Sequence, residues 1–206
     1  MVRLGVLLSG TGRSLENLIR RIGRGNIPAR IVKVVSSDPD ARGLVIARDN
    51  NIPSEAISRS DHAEIGTFSE AITASLKEAR VDLVCMAGFI HLYRIPEELE
   101  GKVLNIHPAL VPSFSGSGFY GDQVHRAVLK KGVKVSGCTV HFADNEYDHG
   151  PIILQRTVPV EEGDTPETLA ARVFEEECEA YPDAIRLFAE RRLRIQDGRV
   201  EVLPAR

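Results

Sequence analysis

A doubly wound α/β fold, with a mostly parallel sheet and helices on both faces, is what this sequence predicts, on three observations. Strand-like and helix-like segments alternate from the first residue. The strands are continuous apolar runs such as "LVCMAGF", as expected of parallel strands buried on both faces. After about residue 132 the alternation stops, and two strands follow each other with no room for a crossover helix, which predicts antiparallel strands in the C-terminal part.

The elements follow in order. "RLGVLLS" is a buried strand, and Gly10 and Gly12 lead from it into a helix through "SLENLIRRIGRG". "RIVKVVSS" is the second strand, followed by a helix around "ARGLVIARDNN". A long helical stretch, "HAEIGTFSEAITASLKEAR", precedes the strand "VDLVCMAGF", and "KVLNIH" is the next strand. "KVSGCTVHFA" and "PIILQRTVPV" form the antiparallel pair around "DNEYDHG". The long helix after them has Thr165 as N-cap, Pro166 at its first position and a basic end at "RRLR". Pro182 should kink or split it. A hairpin turning at Asp197-Gly198 closes the chain. One domain of 206 residues is expected, with a nucleotide-binding half over about 1–100 and a catalytic half over about 101–206.

Composition narrows the function. A net charge of −3 gives no basic footprint for nucleic acid. No apolar run approaches the ~20 residues that span a membrane, and the N-terminus lacks the pattern of a signal peptide. The three cysteines, Cys85, Cys138 and Cys178, are far apart with no CxxC spacing, as reduced thiols of a cytoplasmic protein would be. The histidines form no metal-ligand spacing, so no metal is expected.

Four places carry candidate chemistry. Gly10-Thr11-Gly12 offers converging backbone N–H groups at a helix N-terminus, suited to a phosphate, with Arg13 as a possible cation. Leu15 stands where a dinucleotide fingerprint needs its third glycine, although Asp38 after the second strand keeps a nicotinamide reading open. In "LNIHPALVPSF", Asn105 and His107 are two apart and share one face of a strand end, which Pro108 stops. An amide donor beside an imidazole suits a carbonyl oxygen that gains charge, and the carboxyl ends of such strands are where ligands collect. Asp144, Glu146 and Asp148 are three acids of which any could orient the imidazole. Glu177 lies four after Val173 and four before Tyr181, a carboxylate inside a stripe that should be apolar.

Together "SGTGRSLENL", "SSDPDARGLVIA", "MAGFIHLY", "LNIHPALVPSF", "VSGCTVHF", "YDHGPIILQ" and "EAYP" resemble, in order and spacing, the phosphoribosylglycinamide formyltransferases, folate-dependent enzymes of purine biosynthesis. The resemblance covers nearly the whole chain. It implies direct formyl transfer from 10-formyltetrahydrofolate to glycinamide ribonucleotide, without metal, in a cytoplasmic monomer or homodimer. On matching positions, Asn105 would bind the formyl oxygen and protonated His107 would stabilise the oxyanion. Asp148 would keep His107 charged and order a proton-shuttling water. Gly12, Arg13 and Ser14 would hold the substrate phosphate, and Glu177 the glycinamide end. Backbone at Ile90, His91, Leu92 and Tyr93, with Asn105 and the loop from Ala143 and Asp144 to Asp148, would meet the folate. His91 replaces the family's usual arginine, and Gly12-Arg13-Ser14 replaces its usual Gly-Ser-Asn turn. Rival readings are another folate formyltransferase, a formyltetrahydrofolate hydrolase, or a non-catalytic nucleotide-binding module.

Overall fold

The computed structural model describes residues 1–205 and divides into two units, Met1–Leu104 and Asn105–Arg206. In the first unit, β1 (Val2–Leu8) pairs in parallel with β2 (Ala29–Ser36) on one side and β4 (Leu83–Met86) on the other. β2 pairs in turn with β3 (Ser54–Ala56), a three-residue strand too short and exposed to stand out in the sequence. Three helices follow the strands, α1 (Arg13–Gly23), α2 (Arg42–Asp49) and α3 (Ile65–Glu78). Leu4, Leu7 and Leu8 of β1 are fully buried, and each such side chain contributes roughly 1.5–3 kcal/mol relative to an exposed one. Leu15 and Leu18 of α1 and Phe68, Ile72 and Leu76 of α3 complete the core of this unit.

β5 (Val103–His107) starts with the last two residues of the first unit, so Asn105 and His107 belong to the second. The second unit continues with α4 (Asp122–Lys131), β6 (Val135–Phe142), β7 (Ile152–Pro159) and α5 (Pro166–Ala189). The seven strands form one mostly parallel sheet in the order β3-β2-β1-β4-β5-β6-β7, as the sequence predicts. β6 and β7 are its antiparallel pair, and their register slips between Val140 and His141. α4 is not among the predicted helices. Val124 and Val128 give it an apolar face, but the face also buries His125, which breaks the apolar pattern.

α5 is not split at Pro182, one of the two outcomes expected there. The helix runs through the proline as one 24-residue element. Pro182 is buried, as are Ala180, Tyr181, Ala184 and Ile185 around it, and this packing outweighs the lost N–H of one turn. Thr165 caps the N-terminus as predicted, in a reciprocal pair with Thr168. The basic "RRLR" stretch lies beyond the helix end, so Arg186 is the cation of the last turn. β8 (Leu193–Gln196) and β9 (Arg199–Val202) form the closing hairpin, with Asp197 and Gly198 both at positive φ, as a two-residue turn requires.

Among the described residues, no helix is long and apolar enough to cross a membrane. Cys85 and Cys138 are buried, and Cys178 is half-buried.

Candidate active site

β5 places Asn105 and His107 on one face, and Pro108 turns the chain immediately after them. The turn is fastened from β6 and β7. Thr139 Oγ1 donates to the Ala109 carbonyl at 2.7 Å and accepts from Val111 N–H at 3.0 Å. Gln155 donates from Nε2 to the Val111 carbonyl at 3.0 Å. These bonds hold the segment that leads to Phe114.

His107 is 4 % exposed, with an oxygen facing each ring nitrogen. Nε2 lies 2.9 Å from the Phe114 carbonyl, which can only accept, so Nε2 carries a proton. Nδ1 faces Asp148 Oδ2 at 3.3 Å. Of the three acids left open by spacing, Asp148 is therefore the one beside the imidazole. Asp148 Oδ2 also accepts the Gly116 N–H at 2.9 Å, and Oδ1 accepts Asn105 Nδ2 at 3.0 Å. Asn105, His107 and Asp148 thus form one cluster within the second unit.

The backbone is strained at two points of this cluster. Phe114, whose carbonyl meets His107, has φ +52°, and Asp148 also has φ +52°. Non-glycine residues held in the left-handed region cost on the order of 1–3 kcal/mol and are tolerated where surrounding structure fixes them. The loop carrying Asp148 is fixed at Gly150, where a Cβ would lie 2.0 Å from the Phe142 carbonyl. That close approach explains the glycine of "DHGP".

Electrostatics pull in two directions. Burial lowers the pKa of His107, and the charge of Asp148 and the Phe114 carbonyl partly offset it. Burial would also raise Asp148, but neighbouring groups, among them the charge of His107 and the Gly116 N–H, outweigh it, and the carboxyl stays below its ordinary value.

Sequence reasoning missed His141, although a histidine in the apolar strand "CTVHF" was the available signal. It is 1 % exposed, with Nδ1 2.9 Å from the Phe142 carbonyl and Nε2 3.1 Å from Asn105 Nδ2. His125 of α4 is a second buried histidine. Its Nδ1 has no partner among the described residues; burial lowers its pKa against the pull of Asp122, and the charge of His107 adds to the lowering.

Other predicted residues lie as follows. Glu177 is half-buried on α5, and after burial its charge helps push the Cys138 thiol up to about 12. Asp144 pairs with exposed His149 at 2.7 Å and, through its other oxygen, accepts the Glu146 N–H in a local turn next to half-buried Ala143. In the first unit, Gly12 caps α1 at φ +73°, Arg13 is exposed and Ser14 half-buried. Asp38 accepts the Asp40 N–H in a local turn.

Ile90 is exposed, and its N–H donates to Ser9 Oγ at 3.1 Å. His91 sets its ring edge-on to Phe68 and Phe89, and burial together with Arg59 lowers its pKa. Leu92 is half-buried. The Tyr93 hydroxyl is 2.7 Å from Thr73 Oγ1 in the core, so only its backbone can meet a ligand. Among the described residues no group of three or more His, Cys, Asp or Glu side chains could hold a metal ion.

Residues 2–185 match the family model described as formyl transferase. A phosphoribosylglycinamide formyltransferase of Haemophilus influenzae is 36 % identical over 96 % of this chain and 92 % of its own length. A crystal structure of glycinamide ribonucleotide transformylase 1 from Symbiobacterium toebii superposes with TM-score 0.92 at 43 % identity, covering 99 % of this chain and 95 % of that one. A trifunctional purine biosynthetic protein adenosine-3 of Gallus gallus is 44 % identical over 91 % of this chain, which spans only 18 % of that protein's length.

Proposed function

Since the chain belongs to the formyl transferase family, we propose that it transfers the formyl group of 10-formyltetrahydrofolate to the amino group of glycinamide ribonucleotide, as a cytoplasmic monomer or homodimer. The observation that carries this reading is the cluster of buried His107 with half-buried Asn105 and Asp148 at the end of β5. Relatives that match this chain along nearly all of both lengths and carry that activity in their names support it.

The amine nitrogen attacks the formyl carbon, and the carbonyl π pair moves onto oxygen. When the carbonyl re-forms, the bond to the folate nitrogen breaks. The amine has by then lost a proton, and the departing folate nitrogen gains one. The oxygen is negative only while the carbon is tetrahedral, and donors already in place stabilise it without reorganising.

Asn105 turns to that oxygen the amide N–H that Asp148 Oδ1 accepts in this structure. Burial opposes a charge on His107, and the developing negative charge joins Asp148 in favouring the cationic ring. A water ordered by Asp148 carries the amine proton to the folate nitrogen. Gly12, Arg13 and Ser14 hold the phosphate, and Glu177 binds the glycinamide end. The backbone of Ile90, His91, Leu92 and Tyr93, with Ala143 and Asp144, holds the folate.

Incubating the purified protein with both substrates and weighing the products tests the reading. Formylglycinamide ribonucleotide and tetrahydrofolate are expected in equal amounts. Formate in place of the formylated nucleotide would make the protein a hydrolase, and neither product would make it a binding module.

A further inference from the structure

A side-chain amide has two ends of nearly the same shape, and its partners decide which end points where. At Asn105 those partners are Asp148 and His141. His141 Nδ1 lies 2.9 Å from the Phe142 carbonyl, so Nδ1 must carry the proton and, in the neutral ring, Nε2 presents a lone pair. That lone pair accepts one N–H of Asn105 at 3.1 Å, while Asp148 Oδ1 accepts the other at 3.0 Å. Turning the amide over would set its oxygen against two acceptors at once.

We infer that His141 is a positioning residue, which acts through Asn105 to keep the N–H end of the amide on the side of Asp148 and His107. The inference rests on the transferase reading, because the orientation matters only if a carbonyl oxygen there gains negative charge. A reversed Asn105 would oppose that oxygen with its own. The fold sets up the arrangement in two ways. The register of β6 and β7 slips next to His141, a local irregularity that can re-aim a side chain. Gly150 leaves the space in which the Phe142 carbonyl reaches the ring.

The test uses the full chain with His141→Phe, which keeps a ring but removes the acceptor, and His141→Gln, whose amide oxygen can accept again. Three quantities are read: kcat, KM for both substrates, and the Asn105 side-chain NH2 signals in 15N NMR. His141→Phe should lower kcat about 10–100-fold, the usual effect of losing an outer-shell orienting group. KM should change less than roughly threefold, because the amide acts in the transition state. The Asn105 signals should shift and exchange faster with solvent. His141→Gln should recover part of kcat and restore the signals.

A folded His141→Phe protein with wild-type kcat, or with unmoved Asn105 signals, overturns the inference, as does a His141→Gln variant no faster than His141→Phe. If His141→Phe does not fold, Gly150→Ala displaces the Phe142 carbonyl instead, and unmoved Asn105 signals there overturn it equally. A wild-type protein that forms no formylated product removes the transferase reading, whereas the Asn105 signals decide the positioning role on their own.

Discussion

The loop at Gly12 and the cluster at His107 both look functional in the sequence, but different forces account for their residues. In the first unit, a Cβ on Gly12 would lie 2.6 Å from the Gly43 Cα of α2, and φ is +73°. Packing alone therefore requires that glycine, whatever binds at the helix end. In the second unit, packing would favour apolar side chains where His107 and His141 are buried and Asp148 is half-buried, and Phe114 and Asp148 add backbone strain. Nothing in the stability of the fold calls for those residues. A glycine loop is weak evidence for a ligand, and a buried polar cluster that costs stability is strong evidence for chemistry.

The largest effect should come from breaking the costly side of this contrast. His107→Ala or Asp148→Ala should lower turnover by roughly 10²–10⁴-fold, the range for acid–base and oxyanion groups. Near-normal turnover of either variant in a steady-state assay would count against the site. Gly12→Ala probes the packing side. It forces a side chain into the left-handed region and against Gly43, and should cost about 2–4 kcal/mol in urea unfolding. A neutral result would return the glycine to a purely functional explanation.

Glu177→Gln sharpens the comparison at the margin of the site. Losing a charge-assisted hydrogen bond to the amine end should weaken glycinamide ribonucleotide binding about tenfold, with folate affinity kept. Titration calorimetry that finds equal nucleotide affinity would remove Glu177 from the substrate contacts.

What was legible in the sequence follows the same division. The strands and the helices α1, α2, α3 and α5 were readable because their apolar runs satisfy one period each, and Thr165 and Pro166 mark a helix start by local chemistry. α4 was hidden by its buried His125, and β3 by its three residues. Asn105 and His107 were visible because their spacing fixes a shared face, independent of the rest of the chain. Asp148 could not be chosen from spacing, since Asp144 and Glu146 lie in the same loop and only the folded loop directs one of the three to the ring. The part played by His141 depends on a hydrogen bond to the next residue's carbonyl and a register slip, which no local pattern encodes.

The smallest effect concerns pH, because the oxygens of Asp148 and Phe114 offset part of what burial does to His107. Its pKa in the folded chain lies below its ordinary value of 6.5, so between the two the unfolded chain binds more protons. The stability tied to this ring is complete above about pH 6.5 and is lost as pH falls towards the folded value. His91 and His125, both shifted down chiefly by burial, act in the same direction, while exposed His149, raised by Asp144, acts against them. Urea unfolding of the wild type should therefore show stability decreasing as pH drops below about 6.5, and His107→Gln should make that slope shallower without abolishing it. An unchanged slope in His107→Gln would mean that the ring keeps its ordinary affinity for protons in the fold. Burial would then not oppose the imidazolium, and the contrast with the loop at Gly12 would rest on strain and burial alone.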